Sequence, residues 1–190
     1  MRRLLIAAAA VLMAVGVVAP AVSARAERAA APYCGITWGS LPETRTGMST
    51  RPITNVRAGR HACYDRLVVD LGASAGIGPG RLGYDVRYGP VSEDGSGRPI
   101  PLAGAADLNI VVRAPMYDFD TGQPTYSPRD RNHLVNVSGF RTFRQVASGG
   151  SFEGQSTLGL GVRARLPFRV FILEGPGTGA RLVIDVAHRW

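Results

Sequence analysis

Leu82-Gly83-Tyr84-Asp85-Val86-Arg87-Tyr88 places a large apolar side chain at every second position and a small or charged one between. That period of two is the mark of a β-strand with one buried and one wet face. The pattern recurs on both sides of this stretch. Before it come Leu67, Val69 and Leu71; after it come Leu108, Ile110, Val112 and Ala114, then Leu158, Leu160 and Val162 alternating with Gly159 and Gly161. Phe168, Val170 and Ile172, and finally Leu182, Ile184 and Val186, complete six well-marked strands. Weaker strand signals lie at residues 36–38, 53–56, 100–102 and 140–147, with turns expected at Asp94-Gly95, Gly149-Gly150 and residues 175–179. After residue 24 no stretch holds a 3.6-residue period for three turns, which confines helix there to a turn or two, with Pro128-Arg129-Asp130-Arg131 as the candidate. The chain therefore reads as all-β, a β-sandwich of about 8–10 mostly antiparallel strands.

Outside this region the N-terminus carries a different signal. Arg2 and Arg3 precede an apolar run from Leu4 to Val18, followed by Pro20 and small residues through Ala24. A run of this length suits a secretory signal peptide, whereas a membrane-spanning helix needs about 20 apolar residues. The expected organisation is a signal peptide at 1–24, a flexible Ala-, Arg- and Pro-rich tail at 25–33 and one domain at 34–190. No integral membrane segment is expected after cleavage, and the location is secreted or extracytoplasmic, with the cell wall as a place of retention. Two of the 22 basic residues fall within the leader, so the remainder carries 20 against 14 acids, a net charge of +6. All of them are Arg, and the abundance of Ala, Gly, Val and Pro is the usage of a GC-rich genome, which points to an actinobacterial host. Arginines scattered singly, with no basic block, argue against nucleic acid as a partner. A net positive charge favours an anionic envelope.

Cys34 and Cys63 are the only cysteines. In an exported protein they are expected to form a disulfide. The loop it closes is worth roughly 3.5 kcal/mol in lost chain entropy. A metal site would need further Cys or His ligands nearby, and none is patterned for it.

Arg66-Leu67-Val68-Val69-Asp70-Leu71 returns near the end as Arg181-Leu182-Val183-Ile184-Asp185-Val186. Arg and Asp four apart on one strand face are separated by about 13 Å, beyond the reach of a pair within the strand. Antiparallel pairing in register would set Arg66 against Asp185 and Asp70 against Arg181 as structural cross-strand charges, whereas parallel pairing would oppose like charges. The alternative is that such strings are ordinary strand composition.

These two strands, the Ile53 to Arg57 segment before the first, and the strings Gly139-Phe140-Arg141-Thr142-Phe143-Arg144-Gln145-Val146, Phe152-Glu153-Gly154-Gln155-Ser156-Thr157-Leu158-Gly159-Leu160-Gly161-Val162 and Leu166-Pro167-Phe168-Arg169-Val170-Phe171 resemble the AMIN-like domain family of exported actinobacterial proteins. That family is related to the AMIN domain of wall amidases and secretins. The resemblance spans roughly residues 34–190. It implies a β-sandwich that directs or binds proteins to envelope sites, with peptidoglycan or an envelope protein as ligand. No amidase or other second domain is expected beside it.

No residue pattern marks a catalytic centre. His61, His133 and His188 are isolated from one another, and H-E-x-x-H does not occur. No cofactor and no metal are expected. The candidate ligand-binding feature is the long loop at 115–132, with Tyr117, Asp118, Phe119, Asp120 and Tyr126 at its centre. It admits three readings: a calcium site built from Asp118, Asp120 and Asp130, an aromatic platform for a sugar or peptide, or a turn whose rings pack back on the sandwich. The function read from the sequence is a non-catalytic, envelope-associated binding domain for wall glycan or an envelope protein. The alternatives are a secreted wall hydrolase, with Glu153 and Asp118 as its carboxylates, and a secreted module that binds or inhibits another protein.

Overall fold

A computed structural model describes residues 32–74 and 80–190. The expected signal peptide and all but the last two residues of the expected tail lie outside the described residues. Among the described residues, nine strands form two antiparallel sheets. They are β1 (Glu43–Arg45), β2 (Ile53–Arg60), β3 (Tyr64–Leu71), β4 (Gly83–Tyr88), β5 (Ala106–Arg113), β6 (Phe143–Phe152), β7 (Gln155–Val162), β8 (Phe168–Glu174) and β9 (Ala180–Ala187). One sheet runs β1-β4-β5-β7-β6 and the other β2-β3-β9-β8. The alternating apolar residues of both meet in one core, in which Leu67, Val69, Leu108, Ile110, Leu158, Leu160, Leu182 and Ile184 are fully buried. This is the β-sandwich expected from the period-two pattern.

The Cys34–Cys63 disulfide is formed, and it joins a single 3-10 turn at Tyr33–Gly35 to the β2–β3 connection. In the central pair, Arg66 opposes Asp185 and Asp70 opposes Arg181 across antiparallel β3 and β9. The Arg66 guanidinium donates from Nε and Nη2 to the two oxygens of Asp185, at 2.6 and 2.9 Å. Asp70, although in register with Arg181, instead receives Arg57 of β2 at 2.8 and 3.0 Å. Arg181 donates its Nε to the Gly175 carbonyl.

Several local expectations differ from the structure, each for a reason of hydrogen bonding. Residues 36–38 form no strand: the chain touches β8 through one bridge, Gly39 to Phe168, while the Trp38 indole donates to the Tyr33 carbonyl. Residues 128–131 form no helix, because the Arg131 carbonyl accepts from Ser148 and the Leu134 amide donates to Val146, both on β6. Gly149-Gly150 is not a turn but lies inside β6 at a bulge; the reversal comes later, at Glu153 and Gly154, both with positive φ. Residues 100–102 are not a strand either. They belong to a strap covering the outer side of β7, where Val91, Ile100, Leu102 and Ala147 form a second small apolar cluster. The strap accounts for the glycines of β7: a Cβ on Gly161 would lie 2.1 Å from the Ala103 carbonyl oxygen, and one on Gly159 would lie 2.9 Å from Leu102.

The two sheets are also joined by polar groups. Asp65 of β3, with no exposed surface, accepts the Thr142 amide at 2.5 Å and the Phe143 amide at 3.4 Å from the start of β6, and contacts Nε2 of buried His188 at 3.2 Å. Replacing it by Ala strands two buried amides, each costing about 1–3 kcal/mol. Asp65→Ala is therefore expected to lower the unfolding free energy in urea by about 3 kcal/mol; a loss below about 0.5 kcal/mol, the range of ordinary surface changes, would refute the clamp.

Candidate functional site

The loop after β5 has more internal structure than its sequence suggests. Tyr117 bridges Pro124, the Asp118 amide donates to the Gln123 carbonyl, and the Thr125 amide donates back to Met116, which makes residues 116–125 a small hairpin. The Asp118 carboxylate closes its tip by accepting the amides of Asp120 and Thr121 and the Thr121 hydroxyl. Those donors hold the Asp118 carboxyl below the usual carboxylate range. The hairpin is tied to the body of the domain by Thr125 Oγ1 donating to Ile53 and by the Ser151 hydroxyl accepting the Met116 amide.

This hairpin forms one wall of an open cleft of about 660 Å³. Tyr117 and Tyr126 line it together with Pro124 and Pro128. The opposite wall is the turn after residue 92, carrying Glu93 and Asp94. The floor is the bulged part of β6, from Ser148 to Ser151. Gly150, at φ 94°, permits the Arg131 guanidinium to lie close above it: a Cβ there would stand 2.9 Å from Arg131 Nη2. Gly149 is equally constrained, with the Ser92 carbonyl oxygen 2.8 Å from where its Cβ would be.

The charges of the cleft are set by their neighbours. Asp94 grips β7, accepting the Thr157 amide and hydroxyl at 2.8 and 2.9 Å, yet burial pushes its carboxyl above the ordinary value despite those donors. Glu93 is held below its ordinary value by Arg98 and Ser96. Burial raises the Tyr126 phenol. Arg131 is exposed and, among the described residues, has no carboxylate within salt-bridge distance, although its charge contributes to holding Glu93 below its ordinary value.

Of the residues singled out from sequence, Tyr117 and Tyr126 reach the cleft. Phe119, 43% exposed, packs edge-on against Tyr117 and beside Gly154, and Asp120 is exposed at the hairpin tip. Among the described residues no three His, Asp or Glu side chains are grouped to hold an ion, so Asp118, Asp120 and Asp130 do not make the oxygen cluster of a calcium site. Glu93, Asp94, Arg131 and the β6 serines were not signalled, because they come from three segments that only the fold brings together.

The sequence profile of the AMIN-like domain matches residues 51–188. The chain belongs to the AMIN-like domain family. The match runs from just before β2 to His188 and includes the whole cleft, while Cys34 and β1 precede it. Comparison with curated proteins and with solved structures finds no match. An AMIN-like domain is consistent with envelope-associated binding, and among the described residues no helix is long and apolar enough to cross a membrane.

Because its folded pKa is raised, Asp94 favours the fold most below its unfolded pKa, near 3.8, and that contribution is lost as pH rises through the folded value. In an AMIN-like sandwich with Asp94→Asn, thermal melting should show a gain over the wild type at pH 7 that fades towards pH 3.5. An offset that stays constant across that range would contradict the assignment.

Proposed function

We propose that this AMIN-like protein is an exported, non-catalytic binding domain of the cell envelope, and that the cleft between the Tyr117 hairpin and β6 takes a segment of wall glycan. The observation that carries the reading is Arg131, free of any salt bridge, in one cleft with two tyrosines and a floor of serine and glycine. Aromatic faces supply contact area to sugar rings, hydroxyls and backbone groups orient them, and a guanidinium recognises the carboxylates that peptidoglycan carries on its stem peptides.

The state of the acidic groups supports binding over hydrolysis. A glycosidase requires one carboxyl held protonated to serve as acid and another free to act as base or nucleophile. Here burial raises the Asp94 carboxyl, but Thr157 engages both of its oxygens, and Glu93 and Asp118 are each held below the ordinary carboxylate value. Glu153 sits in the β6–β7 turn. Export is supported by the leader-like first 24 residues and by the Cys34–Cys63 disulfide, which persists in oxidising compartments. The same leader and Arg-only basic composition support an actinobacterial source with one mature domain following the tail.

The test is co-sedimentation of the purified, oxidised protein with isolated sacculi across a salt series. Saturable binding should survive roughly 0.5 M salt, where the screening length is only about 4 Å. Arg131→Ala should weaken it about tenfold, the loss of one charge-assisted hydrogen bond of about 1.4 kcal/mol, and Tyr117→Ala should weaken it further. Binding abolished by salt, or indifferent to both substitutions, would sink the proposal.

A further inference from the structure

The outer face of the β2-β3-β9-β8 sheet carries a second constellation. At its centre Val68 of β3 opposes Val183 of β9, both buried although they point away from the core. Along β3, Val68 is flanked by Arg66 and Asp70; along β9, Val183 is flanked by Arg181 and Asp185. The repeated strand sequence thus gives a local two-fold arrangement in which each arginine faces an aspartate. The arrangement is broken at one corner. Asp185, fully buried, holds both Arg66 and Arg169, but Asp70 is taken by Arg57. Arg181 has no carboxylate within salt-bridge distance among the described residues and is fixed by its Nε bond to Gly175.

The result is a small groove of about 230 Å³ on this face, to which Arg57, Arg66 and Arg181 contribute from β2, β3 and β9. No carboxylate lines it. Val68, Val183 and half-exposed Leu173 form its apolar surface, and His61, stacked on Tyr64 at 4.5 Å, stands at its rim. Arg57 and Arg66 bind their aspartates side-on through Nε and Nη2, which leaves the Nη1 donors of each uncommitted. Their carboxylates therefore hold the guanidiniums in place while leaving donors available. Four arginines against two aspartates on this face give a net charge of +2.

We infer that this groove binds the phosphate groups of an anionic phosphodiester polymer of the envelope, at a site separate from the glycan cleft. Guanidiniums approaching from three strands suit the tetrahedral oxygens of a phosphate, whereas a flat carboxylate is satisfied by one fork in its plane. The groove has room for one phosphate and its neighbouring carbons. The apolar floor removes water from beneath the guanidiniums and strengthens their attraction for the anion. A polymer that presents phosphates repeatedly would dwell by rebinding, which a single free phosphate cannot do.

Titration of the whole, oxidised protein with a glycerol phosphate polymer tests this, followed calorimetrically at about 0.15 M salt, where charges beyond about 8 Å are screened. Inorganic phosphate, polyglutamate and vesicles rich in phosphatidylglycerol serve as the comparison probes. The polymer should bind best, with phosphate weaker. Arg181→Gln should reduce polymer affinity at least tenfold. Leu173→Glu, which removes no hydrogen bond and sets a carboxylate at the groove, should do the same, with an unchanged melting curve confirming its fold. Arg131→Ala, in the glycan cleft, should leave polymer binding intact, so failure here and failure of the glycan reading are distinguishable. Equal binding of polyglutamate, tighter binding of vesicles, or polymer affinity insensitive to Leu173→Glu would overturn the inference.

Discussion

The pairing of β3 with β9 is the constraint on which the rest of this sandwich depends. These are the two central strands of their sheet, and their antiparallel register joins residues more than a hundred positions apart. Two features specify that register together. The inward residues Leu67, Val69, Leu182 and Ile184 must all reach the core, and a slip of one residue would turn every one of them outward. The outward charges then discriminate against a slip of two, which would keep the apolar faces inward but draw Arg66 away from Asp185. Asp185 is wholly buried under the guanidiniums of Arg66 and Arg169. A buried carboxylate that lost such partners would cost about 3–5 kcal/mol, comparable with much of a small domain's stability. The arginines are themselves placed by aromatic faces: Arg169 lies over Trp38, Tyr64 and Phe171, and Arg66 over Tyr64 and Phe171.

With that sheet fixed, the second sheet is held to it by more than apolar contact. Asp65 reaches the amides at the start of β6. Glu43 of β1 accepts the Val170 amide of β8. The Tyr88 hydroxyl at the end of β4 donates to the Leu166 carbonyl and accepts the Leu166 amide. Apolar burial is not directional and tolerates sliding of one sheet over the other. Hydrogen bonds from charged or paired groups have a required geometry, and they lock the relative position of the sheets. The cleft inherits this rigidity, because its floor is β6 and its Asp94 wall is pinned to β7 through Thr157.

The sequence made the sandwich legible because burial of one sheet face imposes alternation on every long strand, and the repeated R-L-V-x-D pattern of β3 and β9 carried the charges of their register. The short strand β1 was invisible: three residues of Glu-Thr-Arg contain no apolar alternation, and Glu43 acts through a hydrogen bond to the other sheet. Gly149-Gly150 misled because glycine marks both turns and places where something approaches the backbone, and here Ser92 and Arg131 do so. For the same reason Gly159 and Gly161 looked like the wet face of β7, when they are the face that the strap around Leu102 covers. The cleft was legible by half. Its aromatic wall lies in one continuous loop, but Glu93, Asp94, Arg131 and the β6 serines converge from segments whose proximity no local pattern encodes.

The repeat in β3 and β9 also shows how a structural device becomes available for recognition. Perfect two-fold pairing would match each arginine with its own aspartate and leave the face neutral. The neighbours break that balance, since β8 offers a second arginine to Asp185 whereas β2 offers Arg57 to Asp70. One arginine is therefore in surplus on each side of the valine pair, and the surplus positive charge is held in fixed geometry by bonds that the fold already requires. A ligand meeting such a groove does not have to order the guanidiniums itself, which removes about 0.5–1.5 kcal/mol of side-chain ordering for each arginine immobilised beforehand. On the proposed reading, the glycan cleft belongs to one sheet and its loops and the phosphate groove to the other. Their bonded union fixes the distance between the two sites. Two weak contacts to one polymeric wall then act as a bivalent attachment, with a dwell time beyond what either surface provides alone.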